Sequence, residues 1–111
     1  MNAALFEFDG WLGHQKYIFK GETAADILRK VELIQDLSCL VMMGRFYESK
    51  EGQKQVDLLE NLMEKYYNGT VTMQDLQPFT IKLSVGAAKC SAVADSDEAV
   101  EKLIAENPDA Y

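Results

Sequence analysis

The sequence predicts an α+β domain: a largely antiparallel sheet packed by about three helices. Three observations carry that expectation. Two strand-like runs close to the N-terminus flank a glycine-bounded turn. Three segments repeat apolar residues at helical spacing, near 24–36, 53–67 and 96–106. A further run near 79–85 alternates apolar and polar residues as a half-buried strand does. Hairpins mixed irregularly with helices point to α+β, with the helices against one face of the sheet, rather than to a parallel α/β fold.

The elements follow in order. Leu5, Phe6 and Phe8 favour strand, with Glu7 and Asp9 alternating against the Phe pair. Gly10 to Gly13 supplies the turn, and Lys16 to Lys20 resumes the strand until Gly21. Thr23 is a good helix N-cap, and Asp26 stands three residues on, as a capping box requires. Ala24, Ile27, Leu28, Val31 and Ile34 then form an apolar stripe over 24–36.

The run from Leu37 to Tyr47 is almost wholly apolar, and periodicity does not separate a buried strand over 39–47 from a continued helix. Val56, Leu59, Leu62, Met63 and Tyr66 mark the second helix, which Asn68-Gly69 ends with the residue types of a left-handed cap. Thr72 can cap a short turn before Pro78. Phe79 to Val85 is the alternating strand, and the small residues Ala87 to Ala94 suit a partner strand or a close-packed loop. Asp95 is the expected cap of the last helix, with Glu98 at its third position and Val100, Leu103 and Ile104 as its apolar face, before Asn107-Pro108 stops it.

A chain of 111 residues fits a single domain spanning 1–111. An apolar content of 48% is that of a globular protein, not a disordered one. No apolar run is long enough to span a membrane, and the first nine residues carry no base and so do not read as a secretory signal. The expected compartment is the cytoplasm. Cys39 and Cys90 then read as buried thiols rather than as a disulfide.

Charge is the feature that bears on function. Eighteen acids face eleven Lys and Arg, for a net charge of −7. Asp95, Asp97, Glu98, Glu101, Glu106 and Asp109 face only Lys102 in the last nineteen residues, so −5 of the −7 lies there. Acids in a first helical turn complement the helix dipole, which accounts for part of the cluster. With no basic stripe, direct binding to DNA, RNA or an anionic membrane surface is not expected.

Reactive constellations do not assemble from the sequence. One histidine, His14, and no Cys-x-x-Cys pair argue against a metal site. Asp95, Asp97 and Glu106 fall on three places of a twelve-residue calcium loop, but Val100 stands where the turning glycine belongs and the segment reads as helix. Phosphate-binding glycine loops are missing. A Cys90–His14 pair lacks the electropositive setting that would activate a thiol. Glu7 and Asp9 share a strand face, most simply a solvated one.

The expected function is therefore that of a small, acidic, non-catalytic protein-binding module without cofactor or metal. Its partner would be another protein with a basic surface. An inhibitor from a phage or mobile element, occluding a nucleic-acid-binding partner, has this profile. The contact residues expected are Asp95, Asp97, Glu98, Glu101 and Glu106, with Trp11 as an anchor on the first turn. Two alternatives are a small-molecule-binding domain whose pocket Phe6, Phe8, Tyr17 and Phe19 would line, and a subunit of a homo-oligomer or larger assembly in which 37–47 is interface.

Overall fold

Alternating Phe and acid residues in the first ten positions build the central strand of the sheet. In a computed structural model that describes residues 1–10, 13–33, 42, 50–83 and 86–111, β1 (Asn2–Gly10) pairs antiparallel with β2 (Gly13–Gly21). Gly10 pairs with Gly13, which has a φ of +82° and so takes the left-handed conformation that glycine tolerates best. On its other side β1 pairs antiparallel with β4 (Gly86–Ala94), which in turn pairs with β3 (Thr80–Leu83). The sheet order is β2-β1-β4-β3. The small-residue run Ala87 to Ala94, left open as strand or loop, is thus a strand of the sheet interior, where its short side chains let helices approach on both faces.

Four helices complete the described residues: α1 (Ala24–Glu32), α2 (Lys50–Tyr67), α3 (Met73–Leu76) and α4 (Asp97–Glu106). The expected caps of α1 are present. The Thr23 hydroxyl accepts from the Asp26 amide at 3.2 Å, and the Asp26 carboxylate accepts from the Thr23 amide at 3.2 Å. α2 ends as Asn68-Gly69 predicts: Gly69 has a φ of +72°, its amide donates to Tyr66 O and the Thr70 amide donates to Lys65 O, which is the Schellman arrangement. Trp11 and Cys39 lie outside the described residues, as does the predicted stretch of α1 beyond Leu33; of the run 39–47 only Met42 is described, and it is helical and exposed.

One expectation needs correction. The helices do not share one face of the sheet. α1, α2 and α3 cover the face that carries Ala4, Phe6, Phe8, Ile81, Ala88 and Cys90. α4 covers part of the opposite face, packing Val100 and Leu103 on Ala3, Leu5 and Ala94. β1 is buried on both sides as a result, from Ala3 through Phe6. The reason is in β1 itself: Ala3 and Leu5 place apolar groups where Glu7 and Asp9 continue the same face as polar. Half of that face needs a cover and the other half needs water.

The main core is aromatic at its centre. Phe6 has no solvent exposure and meets Phe79 edge-on at 5.4 Å and Phe19 at 5.9 Å between ring centroids. Phe8 meets Tyr17 edge-on at 5.6 Å. Ile27, Leu28, Val31, Val56, Leu76 and Ile81 are likewise sealed from solvent, and each such side chain contributes about 1.5–3 kcal/mol by burial. Tyr66 and Tyr67 divide as adjacent helix positions must: Tyr66 packs on this core, while Tyr67 is exposed and donates to Glu32 at 2.7 Å.

Candidate functional site

Ser96 starts α4, and this is a second correction. The extended Ser96 accepts the Ala99 amide on its Oγ at 3.2 Å, so the cap is Ser96 and not Asp95. Capping one residue later sets the rotation of the helix. Steps of roughly 100° per residue put Val100 and Leu103 on the sheet side and Glu98 and Glu101 on the side facing away, with Asp97 on one flank. Glu106 falls on a flank, 3.9 Å from Lys102. Asp97 also takes the Met1 amine at 2.9 Å, an exposed pair. All five carboxylates expected to make contacts are exposed, Asp95 on the approach to the helix. Two of the five, Glu98 and Glu101, thus share the outward face, with Asp97 and Glu106 on its two flanks. Asp109, the sixth acid of this region, lies elsewhere, 3.4 Å from Lys16 of β2.

A polar cluster that the sequence reading did not assemble lies on the uncovered half of the same sheet face. Register places Glu7 opposite Lys16 and Asp9 opposite His14. His14 bridges both acids, with Nδ1 at 2.7 Å from Asp9 Oδ1 and Nε2 at 3.1 Å from Glu7 Oε1. A register shift between Leu5 and Phe6 leaves Ser91 as an extra residue of β4, and its hydroxyl donates to Glu7 Oε2. Lys89 stands 3.8 Å from the same oxygen. The signal was present in the sequence: a two-residue turn between Gly10 and Gly13 dictates these pairs.

The electrostatics of this cluster favour its charged forms. The Asp9 hydrogen bond, with the charges of Asp9 and Glu7, raises the His14 pKa above its ordinary 6.5. The Ser91 hydrogen bond, with help from Lys89, His14 and Lys16, lowers the Glu7 pKa below its ordinary 4.5. Both shifts favour the charged forms, so His14 and the two acids tie together as ions. Cys90 does not meet His14: it is buried on the aromatic face, where burial pushes its thiol up to about 11. Among the described residues no group of three or more His, Cys, Asp or Glu is placed to hold a metal ion.

Phe6, Phe8, Tyr17 and Phe19 pack on one another rather than around a cavity. The groove found among the described residues is elsewhere, between α2 and β3. It measures about 260 Å³ and is lined by Leu58, Leu59, Leu62, Pro78 and Phe79, with the Lys65–Asp75 pair (3.1 Å) at its rim. No described helix is long and apolar enough to cross a membrane.

Fold and surfaces together define a small α+β domain whose antiparallel sheet carries three helices on one face and one on the other. No protein-family model, curated protein or solved structure matches the chain.

Proposed function

We propose that the protein is a non-catalytic docking module that engages a basic protein surface through the outward face of α4. The observation that carries this reading is the rotation of α4, which buries Val100 and Leu103, turns Glu98 and Glu101 outward and leaves Asp97 exposed on the flank beside them. Carboxylates at this density steer encounter with a cationic partner. In its finer form, the module is an inhibitor of the kind phages and mobile elements carry, and it occludes a nucleic-acid-binding face.

The test is affinity capture from extracts of the source cell at low and high salt, with the native chain and with an Asp97→Asn, Glu98→Gln, Glu101→Gln variant. A partner held by the native chain, released by salt and lost from the variant is the expected result. Capture that is equal for both proteins at both salt concentrations overturns the reading.

The groove between α2 and β3 favours a second reading, small-molecule binding, because its walls are apolar and a polar pair sits at the rim. Chemical shifts of Leu59 and Leu62 methyls in a fragment titration test it; no shift at saturating fragment rejects it.

A further inference from the structure

Residue 111 occupies the outer edge of β2. The Tyr111 amide donates to Lys16 O at 2.9 Å, and the Ile18 amide donates to Tyr111 O at 3.0 Å. This is the bond pattern of a parallel pairing centred on Tyr17. The Tyr111 ring lies 5.5 Å from the Tyr17 ring, and Asp109 reaches Lys16 at 3.4 Å. A turn closed by the Ala110 amide and Asn107 O brings the segment there from the end of α4.

The strap repeats the chemistry of the strand on the other side of β2. Along its inner edge β2 sets Tyr17 and Gln15 beside Phe6 and Phe8, and Lys16 and His14 beside Glu7 and Asp9. Along its outer edge an aromatic again meets Tyr17 and an acid again meets Lys16. An aromatic and an acid thus meet the outer edge, while Ala110 between them packs with Ile18 on the smaller core.

Tyr111 supplies one bridge to a nine-residue strand and is 77% exposed, while Ala110 before it packs at the margin of the smaller core, so release of the strap uncovers that margin and leaves the aromatic core closed. The Lys16–Asp109 pair is solvent-facing on the acid's side.

We propose that the outer edge of β2 is a strand-addition site for an acidic, aromatic segment of a partner protein, and that Asn107–Tyr111 is an intramolecular strap which that segment displaces. A longer segment laid parallel to β2 reaches outward backbone groups beyond those Tyr111 uses, and this gives it the advantage over the tethered strap. The site is distinct from the α4 face.

The probe is a capped peptide of alternating Glu and Tyr, with a Lys and Tyr peptide as control, titrated against the full chain while the Lys16 and Ile18 amides are followed by NMR. Opening the strap by Tyr111→Pro with Asp109→Asn removes the competing donor, ring and acid. The Glu-containing peptide should then shift those amides at about tenfold lower concentration than in the native chain, the order of advantage expected when a tethered competitor is removed. Adding Lys16→Glu should transfer the preference to the Lys-containing peptide. If the proline variant loses its dispersed spectrum, Tyr111→Ala, which keeps the backbone donor, should show a smaller gain of the same sign. Equal response of native and opened chains, indifference to peptide charge, or self-association of the opened chain without a peptide response each overturns the proposal.

Discussion

Gln55 on α2 closes the edge of the sheet at Lys82. Its side-chain amide donates to Lys82 O at 3.1 Å and accepts from the Lys82 amide at 2.5 Å, so one glutamine satisfies both outward backbone groups of a β3 residue as a neighbouring strand would. At the far edge, Tyr111 engages Lys16 and Ile18, and Lys30 Nζ donates to Lys20 O at 2.6 Å. Closed edges oppose edge-to-edge pairing between copies. Gln55→Ala should lower stability by about 1–3 kcal/mol, from two hydrogen bonds of ordinary net worth. It should also make sedimentation more concentration-dependent than in the native protein. An unchanged unfolding midpoint together with unchanged sedimentation would show that the clamp does neither.

The His14 cluster predicts a pH dependence with two limbs. His14 has a raised folded pKa, so its contribution is complete below its ordinary value of 6.5 and is lost as pH rises through the higher folded value. Glu7 has a lowered folded pKa, so its contribution is present above its ordinary 4.5 and is lost as pH falls through the lower folded value. The cluster thus helps most between those two ordinary values. Melting temperature followed over pH should show the native chain losing its advantage over His14→Gln as the medium becomes alkaline. Parallel curves for the two proteins across that range would contradict this.

Phe6 should be the costliest single truncation among the described residues. Phe6→Ala leaves a cavity between Phe19 and Phe79 and should cost about 3–5 kcal/mol in denaturant unfolding, with Ile81→Val at about 0.5–1.5 kcal/mol. Leu58→Ala, at a side chain 67% exposed, should stay within about 0.5 kcal/mol. A Phe6→Ala cost no larger than that of Leu58→Ala would remove the aromatic cluster from the centre of the core.

Cys90 should resist alkylation in the folded protein. Its thiol is buried and pushed up to about 11, so little thiolate forms at pH 8. Iodoacetamide labelling read by peptide mapping should show Cys90 modified only as fast as the chain unfolds. Rapid labelling of Cys90 at pH 8 under native conditions would mean that the thiol is reachable where the packing says it is sealed.

Much of the architecture is readable from residue order because local chemistry decides it. The hairpin follows from alternation around Gly10 and Gly13, α1 from Thr23 and Asp26, and the end of α2 from Asn68-Gly69. Even the Glu7–Lys16 and Asp9–His14 pairs follow from the register that sets Gly10 opposite Gly13. Other features rest on contacts between distant positions. Ser91 reaches Glu7 because of a shift in the β1–β4 register, and that shift depends on how two strands far apart in sequence settle together. Gln55 finds Lys82 only once α2 lies along β3.

The candidate docking face divides in the same way. That Glu98 and Glu101 face outward, with Asp97 on the flank beside them, is set by helical period and by the position of Val100 and Leu103. That this helix crosses to the face opposite α1, α2 and α3 is set by Ala3 and Leu5, which leave an apolar half-face that only α4 among the described helices covers. Residue order alone determined the elements, their caps and the surplus of negative charge, because those depend on neighbours within a few positions. Tertiary structure decided which face α4 takes, how the sheet edges are closed and which charges meet, because those depend on burying apolar surface and pairing backbone groups across the whole chain.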